Sequence, residues 1–282
     1  MAEDLSTTVL VGGITIHLYG WKGLLDKPIS MPISVMFLLH GRKGAASAKR
    51  MVEIAKRISH VNDNPDNVSY LLLAVFDHRN HGLRLVNDKR NVTWKEGNDL
   101  HAMDLFTMQY GAVQDVSLLI DFLPSVLFPN DERTISQWMA SGISLGGHAV
   151  WMILALEPRI TIGAPLIGCP CFLDLMRGRL QQGEMSVGPP YLPQSFVNTV
   201  QRLDASSHLD KMKGKRICVL SGGDDKLVPW SCSEAFVRQV EEVADCKVRV
   251  MEGVGHSTPP EMIQELIQWL SDIIKSPIKS HL

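Results

Sequence analysis

The sequence predicts an α/β fold, with a mainly parallel sheet of eight strands and helices on both faces of the sheet. Two observations predict this class. Short apolar runs typical of strands alternate along the chain with longer segments whose apolar residues recur at helical spacing. No internal repeat, low-complexity tract or long charge run interrupts the alternation. Strands that alternate with helices in this way are typical of parallel sheets connected by helical crossovers.

Eight segments have the character of strands. The first two are β-branched runs joined by Gly12-Gly13, a two-residue turn that needs positive φ, and they predict an antiparallel hairpin at the N-terminus. Of the other six, the runs at 33–40 and 69–77 are apolar enough to be covered on both faces. The six are ISVMFLLH at 33–40, SYLLLAVFD at 69–77, TISQWMASG at 134–142, ITIGAPLIG at 160–168, KRICVLSG at 215–222 and CKVRVMEG at 246–253.

Five segments between and after these strands have helical periodicity. Proline ends two of them, because its ring cannot continue a helix: the second near Pro124 and the third at Pro158. The five are AASAKRMVEIAKRISH at 45–60, AVQDVSLLIDFLPSVL at 112–127, LGGHAVWMILALEP at 145–158, SCSEAFVRQVEEVA at 231–244 and PPEMIQELIQWLSDIIK at 259–275.

Two stretches do not follow the alternation. Residues 83–110 are polar and mixed, and too long for an ordinary connection, so we expect a structured loop or short helices over the sheet. Residues 169–208 combine an amphipathic piece with a Gly- and Pro-rich run, which predicts an insertion of helices and turns acting as a small lid. We therefore expect one domain spanning 1–282, with this lid-like insertion inside it.

The composition excludes several classes of protein. With 45% hydrophobic residues, 21% charged residues and a net charge of -2, the chain has no basic surplus that would favour a nucleic-acid partner. No apolar run approaches the roughly 18 residues of a membrane span, and the acidic start MAEDLSTTVLVGG differs from a secretory signal. These features predict a cytoplasmic protein without a membrane span. They carry no information on its oligomeric state.

The five cysteines do not predict a disulfide framework or a zinc site. Their number is odd, and their spacing lacks the paired pattern of zinc ligands. We expect them to be reduced, and the Cys169-Pro170-Cys171 stretch to be a buried segment.

A candidate nucleophile lies where the strand at 134–142 meets the helix at 145–158. Ser144 stands in the frame Gly142-Ile143-Ser144-Leu145-Gly146, the pattern of a nucleophile elbow. In that turn the serine is strained and only small flanking residues fit, so its hydroxyl projects over the first turn of the helix. The free amides of the helix end then lie where an oxyanion would form.

A serine hydroxyl needs a histidine to take its proton and a carboxylate to hold that histidine. Loops at the carboxyl ends of parallel strands meet at one edge of the sheet, and two such loops offer these groups. Asp224 and Asp225 follow the strand at 215–222, and His256 follows the strand at 246–253. The resulting chain order, Ser then Asp then His, is that of the α/β-hydrolase arrangement.

These pieces give the chain a resemblance to the α/β-hydrolase fold superfamily, in particular to its small prolyl-oligopeptidase-like serine esterases. The matching stretches occur in family order and span most of the chain: FLLHGRKGA at 37–45, FDHRNHGLR at 76–84, GISLGG at 142–147, GGDDKLVP at 222–229 and GVGHSTPP at 253–260.

The resemblance implies roles for particular residues. By the family pattern Asp-x-Leu-Val-Pro the acid is Asp225, with Asp224 as the alternative. The oxyanion hole would consist of the backbone N–H groups of Leu145 and Arg42. Relatives often carry an aromatic or small residue at the position of Arg42, so its side chain is a candidate for attracting an anionic group of a substrate. No metal or organic cofactor is implied.

Each of these residues also has a structural interpretation. Ser144 could serve only a tight turn, Asp225 an Asx-turn, and His256 the cap of the following helix. His148 lies four residues after Ser144, but helical geometry directs it along the helix flank, so we expect a packed residue.

Asp77, His78 and His81 invite comparison with a metal site. The sequence holds no further ligand cluster to complete such a site, so we expect this turn to shape the pocket rim instead.

Four residues are candidates for substrate contact. His101 and Asp104 belong to a polar segment that we expect near the pocket mouth, where ordinary solvated loop polarity is the alternative. Phe172 and Met176, in the insertion, would supply apolar lining, although core packing explains them equally well.

The sequence thus predicts a serine hydrolase that cleaves a carboxylic ester of a small molecule through a Ser144-His256-Asp225 triad and an acyl-enzyme. One alternative keeps the triad for a lactonase, thioesterase or release and cyclisation enzyme acting on a specialised metabolite. A second is a non-catalytic protein that binds small molecules on a hydrolase scaffold.

Overall fold

Eight strands form one sheet in the computed structural model, which describes residues 6–276. The two ends of the predicted 1–282 domain, residues 1–5 and 277–282, lie outside the described residues. The strands are Ser6–Val11 (β1), Ile14–Tyr19 (β2), Ile33–Leu39 (β3), Tyr70–Phe76 (β4), Ile135–Ile143 (β5), Ile160–Leu166 (β6), Arg216–Gly222 (β7) and Asp245–Met251 (β8).

The strand order is β1-β2-β4-β3-β5-β6-β7-β8. β1 and β2 form the predicted antiparallel hairpin, and β2 also runs antiparallel to β4. All the remaining pairs are parallel. The predicted fold class is therefore confirmed, and the carboxyl ends of β3 to β8 meet at one edge of the sheet.

Helices cover both faces of the sheet. They are Trp21–Leu25 (α1), Lys49–Ser59 (α2), His101–Leu127 (α3), Leu145–Leu156 (α4), Phe172–Gln182 (α5), Gln194–Leu203 (α6), Glu234–Val243 (α7) and Pro260–Lys275 (α8).

Two apolar cores lie on the two faces of the sheet. Along β3, Val35 and Phe37 belong to one core and Met36 and Leu38 to the other, as the two-residue period of a strand requires. The larger core takes its helical residues mainly from α3 to α7, and the smaller core from α2 and α8. Because β3 is buried along its whole length, it has no solvent-facing side.

The helix predicted at 112–127, which is α3 in the structure, is longer than its sequence pattern predicts. We expected it to start at residue 112, but α3 begins at His101 and its first turns are buried through Leu105 and Phe106. The prediction of short helices is correct for the earlier part of the segment, where 3-10 turns occupy Gly82–Arg84, Asp88–Asn91 and Trp94–Glu96. α3 also continues past Pro124 to Leu127, since a proline in the last turn leaves most of the helical hydrogen bonds intact.

The stretch at 169–208 holds α5, α6 and a 3-10 turn at Ala205–Ser207. Its buried apolar side chains belong to the larger core. The rings of Phe172 and Phe196 pack edge to face with Phe106 of α3, at centroid distances of 4.9 and 5.9 Å. This segment is therefore anchored to the body of the protein by aromatic contacts.

Within residues 6–276, no helix combines the length and the apolar character needed to cross a membrane.

Candidate active site

The turn between β5 and α4 holds Ser144 in a strained backbone conformation. Its φ is 54° and its ψ is -108°, a region in which residues with side chains cost about 1–3 kcal/mol. The Ser144 N–H donates to the carbonyl of Leu166 on β6 at 2.9 Å, and its own carbonyl accepts the N–H of His148 at 2.8 Å. These two bonds fix the strained residue between a strand and a helix.

Glycine is required on either side of Ser144 because backbone segments approach closely there. A Cβ placed on Gly142 would lie 2.5 Å from the carbonyl carbon of Gly146. A Cβ on Gly146 would lie 2.4 Å from the carbonyl oxygen of Leu39 on β3. The sequence Gly-x-Ser-x-Gly is thus a steric condition for the serine to project from the end of β5.

The structure brings the three predicted triad residues together. Ser144 Oγ lies 2.8 Å from His256 Nε2, and His256 Nδ1 lies 2.7 Å from Asp225 Oδ2. Since a carboxylate only accepts hydrogen bonds, Nδ1 carries the proton, and Nε2 is left to accept the hydroxyl proton of Ser144. This is the arrangement in which an imidazole can act as a base toward a serine.

Asp225 is fixed by the loop that follows β7. Its Oδ1 accepts the N–H groups of Leu227 and Val228 at 2.9 and 2.8 Å, which leaves Oδ2 for His256. Burial alone would raise the pKa of Asp225, but the hydrogen bonds from His256 and these amides outweigh it and lower the pKa. Asp225 is therefore a carboxylate, while the neighbouring Asp224 is exposed.

His256 precedes α8 without capping it. α8 starts after Pro259 and has no side-chain cap hydrogen bond. The loop is instead tied to α2, where Arg50 Nη2 donates to the carbonyl oxygen and to Oγ1 of Thr258, the latter at 2.6 Å. The hydrogen bonds of His256 itself go to Ser144 and Asp225.

Of the two residues predicted for the oxyanion hole, Leu145 adjoins Ser144 in the chain, and Arg42 lies in a segment that passes close to Ser144. Leu145 is the first residue of α4, so its N–H has no acceptor within the helix. Arg42 follows Gly41, and a Cβ placed on Gly41 would lie 3.6 Å from Ser144 Cβ. The chain after β3 thus passes directly against the nucleophile elbow.

Two buried histidines hold the chain after β3 in place. His40 Nε2 accepts the N–H of His78 at 3.1 Å, so its Nδ1 carries the proton and donates to the carbonyl of Gly41 at 2.8 Å. His78 Nε2 donates to the carbonyl of His40 at 3.0 Å. Burial lowers the pKa of His40 to about 4 and that of His78 well below the ordinary value, so both are neutral.

The turn that contains Asp77 also helps to hold the chain after β3 in place. Asp77 Oδ1 accepts the N–H of Ala46 at 2.7 Å, its Oδ2 accepts that of Leu83 at 2.8 Å, and His81 Nε2 accepts that of Lys43 at 3.0 Å. Across residues 6–276, no group of three or more His, Cys, Asp or Glu side chains is placed to hold a metal ion. Asp77 and His81 serve backbone amides instead.

His148 is a packed residue. Its Nδ1 accepts the N–H of Cys169 at 2.7 Å, and burial lowers its pKa to about 3. It is therefore a neutral histidine whose ring nitrogen is already engaged away from Ser144.

A pocket of about 190 Å³ lies beside the site. Arg42 and Leu227 both line it, so it borders the segment predicted for the oxyanion hole and the loop that carries Asp225. The remaining lining residues are Thr93, Trp94, Lys95, His101, Arg179, Gln182, Gly183 and Met185.

Of the four predicted substrate contacts, the structure brings only His101 to this pocket. Asp104 accepts a hydrogen bond from Asn98 at 2.9 Å and lies 3.5 Å from Arg90, within its own segment. Phe172 and Met176 are fully buried in the larger core.

Sequence reasoning did not identify Arg179 or Trp94 as pocket residues. Arg179 belongs to the amphipathic piece of the insertion, and its place in the pocket depends on a contact with Leu227, 48 positions away in the chain. The sequence offers no signal that separates Arg179 from Arg177 on the same amphipathic segment.

Comparison with known proteins defines the fold. No protein-family model matches the sequence, and no curated protein sequence matches it either. Among solved structures, the Thermus thermophilus protein TT1662 is 17% identical with a TM-score of 0.70, over 96% of this chain and 98% of that one.

Two further similar structures belong to proteins that are named for an activity or shown with a bound ligand. Est1E from Butyrivibrio proteoclasticus, with ferulic acid bound, is 16% identical with a TM-score of 0.59, over 95% of this chain and 97% of that one. The acylaminoacyl peptidase of Pyrococcus horikoshii is 11% identical with a TM-score of 0.64, over 98% of this chain and 42% of that one. The chain has the α/β-hydrolase fold, as its resemblance to that superfamily predicts.

Proposed function

We propose that the protein is a serine hydrolase that cleaves carboxylic esters of small molecules. The observation that carries the proposal is the continuous chain of hydrogen bonds from Ser144 through His256 to Asp225, with distances of 2.8 and 2.7 Å. A turn serine with no chemical task would not need a histidine and a buried carboxylate aligned behind it.

In the proposed reaction, Ser144 Oγ attacks the ester carbonyl while His256 Nε2 takes the hydroxyl proton. His256 then gives that proton to the leaving alcohol, and water later attacks the acyl-enzyme by the same route in reverse. Asp225 keeps the proton of His256 on Nδ1 and stabilises the imidazolium. The amides of Leu145 and Arg42 would hold the negative charge that develops on the carbonyl oxygen.

The named structural neighbours favour ester chemistry within this class. Est1E and a Pyrococcus furiosus protein are described as esterases, and the Pyrococcus horikoshii protein as an acylaminoacyl peptidase. All of these names describe acyl transfer to water, which is the reaction that a serine, histidine and aspartate set performs.

The deciding experiment compares wild type with Ser144→Ala on short 4-nitrophenyl esters and with a fluorophosphonate probe. We expect wild type to hydrolyse the esters and to be labelled, and Ser144→Ala to lose at least about 10⁴-fold in kcat and all labelling. Ser257→Ala, which removes an exposed hydroxyl next to His256, is the matched control and should keep both activities.

Circular dichroism and thermal unfolding of each variant show whether the fold is intact. Turnover by Ser144→Ala at the wild-type rate would refute the proposal. Labelling without turnover of generic esters would instead favour a specialised lactonase, thioesterase or cyclisation enzyme, and absence of labelling a binding protein.

A further inference from the structure

The pocket that borders Arg42 and Leu227 is lined by three cationic side chains and no acidic one. Arg42, Lys95 and Arg179 all contribute to its wall. The three lie on different parts of the chain: the loop after β3, the 3-10 turn at Trp94–Glu96, and α5. Their convergence is therefore a property of the folded molecule.

The two arginines are held by neutral acceptors. Arg179 Nε and Nη2 donate to the carbonyl of Leu227 at 3.2 and 2.9 Å, and Arg42 Nη1 donates to the carbonyl of Asn91 at 3.0 Å. Among the described residues, no carboxylate lies within ion-pair distance of either guanidinium. Each guanidinium therefore keeps its full charge and N–H donors that are free to bind another group.

The acids nearest to these arginines are engaged elsewhere. Glu96 lies 3.2 Å from Lys43 and accepts the N–H and hydroxyl of Thr93, both at 2.8 Å. Asp225 is hydrogen-bonded to His256. Neither acid is free to act as the counterion of the pocket.

The pKa values of Arg179 and His101 agree with a positive charge in the pocket that no acid neutralises. Burial, followed by repulsion from Arg42, lowers the pKa of Arg179 to about 10, which leaves it cationic at neutral pH. The pKa of His101 is lowered to about 3, mainly by burial and to a smaller extent by the positive charges of Arg42 and Arg179. His101 is thus neutral, and its Nδ1 donates to the carbonyl of Val92 at 2.9 Å.

Trp94 also lines this pocket. It is 8% exposed, and its Nε1–H has no acceptor among the described residues. Because that N–H is itself buried, it does not count among the donors that the pocket offers to a ligand.

We propose that this pocket binds a compact oxyanion, a carboxylate or a phosphate, carried by the substrate. Two guanidinium groups without a counterion match the acceptor-rich edge of such a group. The inference rests on the proposed function and deepens it: the substrates are esters with an anionic substituent, positioned by the pocket while Ser144 attacks the carbonyl.

A purely structural role accounts poorly for this arrangement. Burial and the charge of Arg42 both lower the pKa of Arg179, so its cationic form opposes folding, and an apolar side chain of similar size at that position would avoid this cost. A ligand anion between Arg42 and Arg179 would act as their counterion and so remove this repulsion.

The test uses pairs of esters that differ in one negative charge. On the acyl side, mono-4-nitrophenyl adipate is compared with its methyl ester; on the alcohol side, 4-acetoxybenzoate is compared with methyl 4-acetoxybenzoate. 4-Acetoxyphenyl phosphate distinguishes phosphate from carboxylate. We expect kcat/KM of wild type to favour the anionic member of at least one pair by about 10- to 100-fold.

Arg179→Met should lower that preference by about 10-fold or more, because kcat/KM for the anionic ester should fall. Lys95→Met, at the exposed rim of the pocket, should lower it by about 2- to 3-fold. The matched control is Arg177→Met, which removes an arginine from the same helix whose partner is Asp174, outside the pocket, and should leave the preference at its wild-type value.

A wild-type enzyme that prefers the neutral esters in every pair overturns the proposal, as does Arg179→Met with an unchanged preference. Calorimetric titration of adipate and of inorganic phosphate into Ser144→Ala tests the pocket without catalysis. Binding that the added Lys95→Met change weakens supports the inference even if no ester is hydrolysed, and absence of binding refutes it. Hydrolysis without charge preference refutes the anion site and leaves the proposed function standing.

Discussion

Asp225 and Asp224 show how adjacent identical residues acquire different chemistry. The turn after β7 directs the Asp225 side chain toward His256 and gives its second oxygen two backbone amides, whereas Asp224 is exposed. Composition alone could not separate the two aspartates. The family pattern favoured Asp225, and the geometry places that residue against His256.

We expect Asp225→Asn to lower kcat by about 10⁴-fold, because an amide in place of the carboxylate favours the wrong tautomer of His256. The substitution retains an oxygen that can accept the amides of Leu227 and Val228, so the fold should persist. Steady-state kinetics together with a thermal melt would measure both effects. Asp224→Asn is the control, and a loss below about 10-fold in Asp225→Asn would contradict the proposed role.

Ser144 and His256 were accessible to sequence reasoning because each lies in a short motif at a strand end, where the topology fixes its position. Arg179 was not, since its position depends on the packing of α5 against the loop after β7. Residues that act through local geometry can be read from a sequence, whereas residues that act through packing between distant segments cannot.

At the level of elements, the start of α3 likewise depends on contacts that the sequence pattern does not reveal. Polar residues between 98 and 104 weaken the helical pattern, and the helix was predicted to start only at 112. In the structure Asn98 donates to Asp104, and His101 donates to Val92, so these polar groups are satisfied locally and the helix begins among them. Periodicity detects burial, but it does not detect local pairing of polar groups.

The close approach of β5 and α4 predicts a large cost for a single methyl group. Gly142→Ala places a Cβ 2.5 Å from the backbone of Gly146, which cannot move without displacing α4. We expect about 3 kcal/mol or more to be lost from the free energy of unfolding, together with activity. Urea unfolding measures the loss.

Gly178→Ala is the control for this substitution. Gly178 lies inside α5, and an added Cβ would meet nothing within 4 Å. Alanine there should stabilise the protein by about 0.5–1 kcal/mol, because it reduces the freedom of the unfolded chain. Equal effects of the two substitutions would show that the contact at the elbow is not as tight as described.

At the level of the whole molecule, Asp204 links folding to pH. It joins the end of α6 to the start of α5, because its Oδ2 accepts the N–H of Phe172 at 2.8 Å and the hydroxyl of Ser206 at 2.9 Å. Burial raises the pKa of Asp204 from 3.8 to about 7. The native state therefore holds this proton more tightly than the unfolded chain does.

The stability that comes from this proton is fully present below about pH 4 and is lost as the pH rises through about 7. Between pH 5 and 8, wild type should lose about 2 kcal/mol of unfolding free energy through this group. Asp204→Asn removes the titration, so the difference in stability between variant and wild type should change by that amount. Urea unfolding at several pH values measures it, and parallel pH profiles would exclude the effect.

The overall architecture was predictable because it follows from repeated, local signals: eight apolar runs, the helices between them and one glycine hairpin. Their order along the chain then fixes which loops share an edge of the sheet. Its likeness to TT1662 over 96% of the chain, at 17% identity, indicates that this pattern survives extensive change in sequence.

The position of His256 after the last strand has a consequence for synthesis of the protein. A ribosome synthesises Ser144 and Asp225 before β8, so a growing chain that ends before β8 lacks the histidine that accepts the Ser144 proton. Under the proposed function, esterase activity cannot arise until His256 is made and its loop is tied to α2 by the hydrogen bond from Arg50 to Thr258.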